Sequence, residues 1–321
     1  MRFFFKYFFI SVFIGLIIIG FLLNCDQNSN HQIRVKDEVF IRVLGIAQDG
    51  GFPHINYNDE WNDLENGSLK REPVVSLGLV DMKSKQKWLF EATPDMPQQL
   101  YMLNKEFPES DEIVNGVFLT HAHIGHYTGL MHFGREAMGA RNIPVYAMPR
   151  MSEFLQANGP WSQLVDLGNI EIKSLVADSS FALNARLEIT PFLVPHRDEF
   201  SETVGYRIQG PSKSALFIPD INKWELWDRS IVEEVKKVDY AFLDATFFEN
   251  GEINRPMSEV PHPFIVETME LFRDESDEVQ SKIIFIHFNH SNPAIRNDFN
   301  PANHKSTQGF RFARTGDIFP L

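Results

Sequence analysis

The sequence predicts an α/β protein built as a single domain. From Glu38 to the end of the 321-residue chain, short β-rich runs such as VFIRVLGI and KIIFIHF are bounded by turn signals and helical patterns. The first half is rich in strands with hairpin-like connections, whereas the later strands alternate with helices. No repeat or linker interrupts this order. The pattern therefore favours packed layers of helix and sheet over a pure β-sandwich.

Five segments have the apolar spacing that is typical of amphipathic helices. They lie between predicted strands, where their apolar faces can cover a sheet. The predicted helices are Met96–Lys105, Tyr127–Ala137, Arg150–Ala157, Lys223–Lys236 and Pro263–Arg273.

The composition excludes several classes of function. Lys and Arg number 30 against 43 Asp and Glu, for a net charge of -13, and no basic cluster is long enough to neutralise a run of phosphates. We therefore expect no nucleic-acid partner. A single Cys excludes an intrachain disulfide framework and a zinc site of several cysteines. Metal chemistry must therefore use carboxylates and the 11 His.

The N-terminus has the layout of a targeting segment. Arg2 and Lys6 precede an uncharged apolar run, as in a secretory signal or a short membrane anchor. Cys25 follows this run, and the arrangement resembles a bacterial lipoprotein signal with Cys25 as the lipidated residue. Lipidation, an uncleaved anchor and simple cleavage all place the body of the protein in the bacterial cell envelope, outside the cytoplasm. The predicted divisions are a signal peptide or anchor over 1–24, a flexible tether over 25–37 and one domain over 38–321.

A dense histidine cluster follows the predicted strand GVFLT. His123 and His126 are three residues apart, on one face of a helical first turn, and His121 lies in the loop before them. Three imidazoles at this spacing suit a divalent metal of zinc type. The alternative is a polar loop in which histidines cluster by chance.

The segment HAHIGH resembles the H-x-H-x-D-H signature of the metallo-β-lactamase superfamily. The resemblance implies an αββα sandwich and three further ligands at later strand ends, which His196, Asp220 and His287 match in order. It also implies that His121, His123 and His196 bind one metal ion. A second ion then belongs to His126 and His287, with Asp220 bridging the two.

The chain departs from that signature at Gly125, where the superfamily has an aspartate. Either the protein holds a single ion, or another carboxylate takes this place. Asp49, in the glycine-rich turn LGIAQDGGFP, is the candidate, because superfamily members place this loop at the metal cleft. The alternative is that Asp49 only forms the turn.

A narrower resemblance covers nearly all of the chain after the targeting segment. FEATPDMPQQL, FLDATFFENGEI and HFNHSNP resemble, in order, motifs of the PqqB branch, which is linked to synthesis of pyrroloquinoline quinone. Unlike PqqB proper, this chain keeps the H-x-H pair and carries a targeting segment.

Three further residues belong to the predicted site. His262 is expected to donate a proton or brace the substrate, or only to form a hydrogen bond at a helix start. Asp244 and Asp95 are expected to orient metal-bound histidines, although Asp95 has a second interpretation as a helix cap. His290 is expected in the cleft wall, and no chemistry is predicted for His54.

These residues favour a metal-dependent hydrolase that acts on a small-molecule ester or phosphodiester. Asp220 would hold the attacking water, and one or two zinc ions would activate it. Iron and manganese remain alternatives, and iron would fit a PqqB-like oxygenase. The third hypothesis is a non-catalytic envelope lipoprotein that binds a metal or ligand.

Overall fold

A computed structural model describes residues 38–106, 112–254, 256, 259–301 and 307–321. The predicted signal segment, the tether and Cys25 lie outside the described residues. Within the described part of the chain, no helix has the length and apolar character to cross a membrane.

The first seven-stranded sheet, sheet 1, has the order β14-β1-β2-β3-β4-β5-β6. Its strands are β1 (Val39–Gly45), β2 (Ser76–Asp81), β3 (Gln86–Phe90), β4 (Val117–Phe118), β5 (Ile143–Ala147), β6 (Ile170–Ser174) and β14 (Ile318–Pro320). The hairpin of β2 and β3 turns at the predicted DMKSK connection and pairs Val80 with Lys87. From β3 to β6 the strands are parallel, because their connections include helices that cross back over the sheet.

The second seven-stranded sheet, sheet 2, has the order β13-β12-β11-β10-β9-β8-β7. It consists of β7 (Phe181–Ala182), β8 (Glu188–Leu193), β9 (Val204–Gln209), β10 (Ser214–Ile218), β11 (Tyr240–Asp244), β12 (Ile283–Ile286) and β13 (Arg311–Phe312). Strands β10 to β13 are parallel, and β10, β11 and β12 are buried on both faces, which explains the nearly continuous apolar sequences of these three strands.

The described helices are α1 (Asn58–Glu65), α2 (Met96–Glu106), α3 (Ile124–Tyr127), α4 (Pro149–Ala157), α5 (Trp161–Asp166), α6 (Ile231–Lys236), α7 (Ile265–Leu271) and α8 (Asp277–Gln280). The predictions for α2, α4 and α7 are confirmed. The predicted helix over 127–137 is wrong in type, because a 3-10 helix spans Thr128–Phe133. The predicted helix over 223–236 is two elements, since Ser230 accepts a hydrogen bond from the Glu233 amide and begins α6 there.

Two apolar clusters hold these layers together. In β1 the side chains alternate, so that Ile41 faces the core between the sheets and Phe40 packs beneath helices α2 and α4. Phe90 of β3 lies 5.3 Å from Tyr206 and 6.1 Å from Phe217 of sheet 2, measured between ring centroids. Helices α6 and α7 cover the outer face of sheet 2. The predicted αββα sandwich is confirmed.

Candidate metal centre

The strands that lead to the histidine cluster all end at one edge of the sandwich. Strands β1, β3 and β4 run in one direction within sheet 1, and β8, β10, β11 and β12 run in one direction within sheet 2. A polar residue follows most of these strand ends. Three overlapping groups of possible ligands result, each with its ligand atoms within 4.8 Å of one another.

The first group consists of His121, His123, His196 and Asp220. The His123 Nδ1 atom lies 2.8 Å from His121 Nε2 and 3.3 Å from His196 Nε2. Two nitrogens that bind one tetrahedral zinc ion are about 3.4 Å apart, since each Zn–N bond is about 2.1 Å. Burial lowers the pKa of both His121 and His123, and the neutral imidazole is the form that binds metals. The 3.3 Å pair matches this separation and the 2.8 Å pair is about 0.6 Å closer, so the three nitrogens converge on one possible zinc position.

The second group consists of Asp49, His126, Asp220 and His287. Asp49 Oδ1 lies 3.0 Å from His126 Nε2 and 3.5 Å from His287 Nε2. Asp220 Oδ2 lies 3.7 Å from His126 Nε2 and 3.3 Å from His196 Nε2, so this carboxylate belongs to both groups. Burial would raise the pKa of Asp49, but the charge of His126, its hydrogen bond to Asp49 and the charge of His287 hold this pKa well below its usual value.

The site has unpaired atoms of the kind that a metal ion satisfies. His287 Nε2 and Asp220 Oδ1 are buried and have no hydrogen-bond partner among the described residues. Among the described residues, the ion-pair partners of the Asp49, Glu91 and Asp220 carboxylates are histidines, and none of them is a lysine or an arginine. Buried negative charge of this kind needs a cation. The residues present therefore fit a bound divalent metal ion.

The outward-facing nitrogens of His196 and His287 have hydrogen-bond partners, which fix these two rings. Asn222 Oδ1 lies 3.2 Å from His196 Nδ1, and Thr246 Oγ1 lies 3.0 Å from His287 Nδ1. Thr246 donates its own hydroxyl proton to Asp244 and so accepts from His287. Such outer partners leave the Nε2 lone pair directed into the site. The sequence analysis missed Thr246 and Asn222.

Glu91, at the end of β3, was also missed. Its Oε1 atom lies 3.4 Å from His126 Nδ1, and both side chains are fully buried. Burial would lower the pKa of His126, but the carboxylates of Asp49 and Glu91 raise it well above its usual value. Glu91 has a φ of 75° and His287 has a φ of 69°, conformations that cost free energy and concentrate at functional sites. An acid directly after the apolar strand KWLF was the available signal.

The third group joins Asp220, Asp244 and His262. His262 Nδ1 lies 2.9 Å from Asp244 Oδ2 and 3.2 Å from Asp220 Oδ1. Burial opposes a charge on His262, but the two carboxylates outweigh it and raise the pKa of this imidazole to about 10. Asp244 is thus placed to orient His262, and it also lies 3.7 Å from His287 Nδ1.

Asp95 does not take the place predicted for it. Its carboxylate accepts hydrogen bonds from Arg71 and from the Val74 backbone amide, and no described contact joins it to a histidine of the site. Its backbone carbonyl accepts from the Gln99 amide in the first turn of α2. The expected role in orienting a histidine is therefore wrong. Asp95 precedes α2, and its carboxylate connects the start of this helix to the segment before β2.

A cluster of side chains borders the site beside Asp49. The His54 ring stacks on His290 with 4.4 Å between centroids, and Tyr57 packs against His290 at 3.9 Å. The buried carboxylate of Glu60 lies 2.8 Å from His290 Nδ1 and accepts from the His54 backbone amide at 2.8 Å. His54, Tyr57, Glu60 and His290 form a wall beside the Asp49 loop, and the place of His290 in the cleft itself stays a prediction.

A sandwich of two mixed sheets with a histidine and aspartate cluster at one edge defines a class of metal-binding domains. The family described as the beta-lactamase superfamily domain matches residues 86–288, which is more than half of the chain. The chain therefore belongs to this superfamily, as its signature predicted.

Within the superfamily, the chain is similar to coenzyme PQQ synthesis protein B. The protein of that name from Cupriavidus necator is 24% identical over 285 residues, which cover 80% of this chain and 92% of the relative. The Zn(2+)-bound PqqB of Methylobacterium extorquens has a TM-score of 0.70 at 18% identity and covers 88% of this chain and 100% of its own. A new diphosphatase from the PhnP family has a TM-score of 0.59 at 19% identity, with coverage of 88% and 97%.

Proposed function

We propose that this protein is a metal-dependent hydrolase of the PqqB-like branch, which cleaves a small-molecule ester or phosphodiester. The observation that carries the proposal is the convergence of His121 Nε2, His123 Nδ1 and His196 Nε2 beside Asp220, a carboxylate shared with the second group. The similarity to a zinc-bound PqqB structure and to a diphosphatase supports zinc and hydrolysis.

The residues of the chain divide the chemical tasks. The first group would hold one zinc ion, and His126 and His287 would contribute to a second position. A bound zinc ion lowers the pKa of a coordinated water to about 7 and polarises the oxygen under attack. Asp220 would accept a hydrogen bond from such a water and orient it towards the substrate. Its Oδ1 is buried and makes no hydrogen bond within the described chain, and His262 Nδ1 lies 3.2 Å away as its ion-pair partner.

His262 is the proton donor to the leaving group in this proposal. Asp244 binds its Nδ1, so the proton available to a substrate is on Nε2. The strongly acidic composition disfavours the approach of highly anionic molecules. We therefore expect a substrate of low charge.

The decisive experiment combines metal analysis with turnover. The full chain, purified in mild detergent without added metal or chelator, is analysed for its metal content and assayed on p-nitrophenyl esters and bis(p-nitrophenyl) phosphate. Zinc, with hydrolysis that is lost in His123→Ala and kept in the matched control His132→Ala, is the expected result. His132 is outside all three ligand groups. No metal, even after reconstitution, would overturn the proposal.

An iron-dependent oxygenase is the second candidate, because the relatives carry the name of a quinone-synthesis protein. Imidazoles with a carboxylate suit non-haem iron as well as zinc. Iron in the purified protein, with oxygen consumption and no hydrolysis, would favour this candidate. Metal binding without either reaction would favour the third hypothesis, a non-catalytic metal-binding protein.

We also propose that residues 1–24 direct the protein to the bacterial cell envelope and that Cys25 is lipidated. The basic start, the apolar run and the position of the single Cys support this proposal. Mass spectrometry of the N-terminal peptide from membranes would show a lipid-modified Cys25, and Cys25→Ala would prevent processing. An unmodified Cys25 on an intact N-terminus would favour a simple anchor.

A further inference from the structure

We propose that the second metal position takes its carboxylate from Asp49, and that Gly125 is the residue that makes room for it. The inference rests on the proposed function only in that the site binds metal. In this inference Gly125 does not reduce the number of ligands. The missing side chain at residue 125 leaves space for a carboxylate from another segment of the chain. Asp49 is contributed by the loop after β1, and residue 125 lies in α3.

The first support is the space beside Gly125. A Cβ atom on this residue would lie 2.6 Å from Asp49 Cα, 2.7 Å from its Cγ and 2.8 Å from its Oδ1. Non-bonded carbon atoms do not approach this closely. Asp49 therefore occupies the volume into which any side chain at residue 125 would extend, and an alanine there would displace the backbone of its loop.

The second support is the direction of the Asp49 carboxylate. Its Oδ1 lies 3.0 Å from His126 Nε2 and 3.5 Å from His287 Nε2, and these are the two histidines of the second group. His287 Nε2 has no hydrogen-bond partner among the described residues. One oxygen thus faces two imidazole nitrogens, an arrangement that a shared cation stabilises.

The third support is the attachment of this loop to the segment that carries His287. The Gln48 amide donates to the Phe288 carbonyl, and the Phe288 amide donates to the Ile46 carbonyl, each at 2.8 Å. Asn289 Nδ2 also donates to Gln48 Oε1 at 2.8 Å. The residues before Asp49 and after His287 are therefore fixed to each other, which keeps the carboxylate in register with the imidazole.

The Glu60 and His290 wall holds the other end of the loop. A Cβ atom on Gly50 would lie 2.5 Å from both Cδ2 and Nε2 of His54, so the His54 ring fills the space beside Gly50. Glu60 binds both the His54 amide and His290 Nδ1. The chain is thus fixed on both sides of Asp49. A turn that served only to reverse the chain would not require these attachments to the His287 segment.

The test is a zinc titration of the full chain in detergent, followed by cobalt(II) substitution to report the coordination of each position by absorption. We expect two zinc ions in the natural protein. Asp49→Ala and Asp49→Asn should weaken the second ion by at least about 100-fold, beyond the 10- to 100-fold effect of an outer partner. Gly125→Ala should do the same, because it displaces the loop.

Two matched variants control for general effects of substitution. Asp274 has a side chain that is 95% exposed, so Asp274→Ala should keep both ions. Gly159 has no atom within 4 Å of a built Cβ, so Gly159→Ala should also keep both. Asp49→Asn preserves the volume of the side chain, so this variant still tests the inference if Gly125→Ala does not fold.

The possible outcomes separate this inference from the proposed function. Two ions in Asp49→Ala and Asp49→Asn would overturn the inference and leave the hydrolase intact. A single ion in the natural protein, unchanged in these variants, would also overturn it. A natural protein that takes up no metal would overturn the proposed function, and this inference with it.

Discussion

The two ligand groups of this site use the same types of residue but are assembled differently. In the first group, His121 and His123 are two residues apart at one strand end, so the local chain conformation alone brings them together. In the second group, Asp49, His126 and His287 come from three distant segments, and the close approach at Gly125 is needed to join them. A locally encoded group is easily recognised in a sequence. In a group formed by a loop contact, a ligand of the same type can come from a different segment of the chain.

The largest effect is expected where the two groups meet. Asp220→Ala removes the carboxylate that lies 3.4 Å from His121 and 3.7 Å from His126. We expect loss of most zinc from both groups and a fall in hydrolysis of about 1,000-fold, the scale of losing a principal electrostatic contact. Metal analysis and steady-state kinetics measure the two effects, and full zinc content in the variant would show that the groups do not share this ligand.

A second substitution leaves both groups intact and tests the proton donor. His262→Gln should lower kcat by about 100-fold or more, since general acids contribute about 100- to 10,000-fold. The loss should nearly disappear with p-nitrophenyl substrates, whose leaving group needs no proton, while zinc content stays unchanged. Equal losses for good and poor leaving groups would show that His262 only supports the structure.

Glu91 offers a way to weaken the second group alone. Glu91→Gln keeps the size of the side chain but removes the negative charge beside His126 Nδ1. We expect zinc affinity of the second group to fall by about 10- to 100-fold, with no change in the first group, because outer partners of metal-bound histidines have effects of this size. Zinc titration measures both affinities, and an equal change in the two would contradict the distinction between them.

The smallest effect is expected from the attachment of the Asp49 loop. Asn289→Ala removes the hydrogen bond to Gln48 Oε1 and the two that Asn289 Oδ1 accepts from the amide and the hydroxyl of Ser291, and it leaves the backbone-to-backbone bonds of this segment in place. We expect about a tenfold loss of zinc affinity in the second group, at the low end for outer residues. Asn297→Ala, in an exposed turn, is the matched control. An Asn289→Ala protein with natural affinity would show that the backbone bonds alone hold the loop.

The resemblance of HAHIGH to the superfamily signature predicted the sandwich and the order of the ligands, and the local patterns predicted only packed layers of helix and sheet. Strand ends followed by His196, Asp220 or His287 can be recognised one at a time, and parallel strands then bring them to one edge. Neither the contact of Asp49 with Gly125 nor the packing of His54 on Gly50 is readable from spacing, because each depends on the path of a loop in space. Asp95 was misassigned for the same reason.

The pairing of β1 with β14 has a practical consequence for how the protein can be attached to a surface. The Leu321 amide donates to the Val39 carbonyl, so both ends of the described domain lie together. Strand β1 then runs seven residues, roughly 20 Å, before its chain reaches Asp49. An anchor, a fusion partner or an immobilisation tag joined before Glu38 or after Leu321 therefore leaves from the base of the sandwich, and the edge that carries the histidine cluster stays accessible at the opposite end.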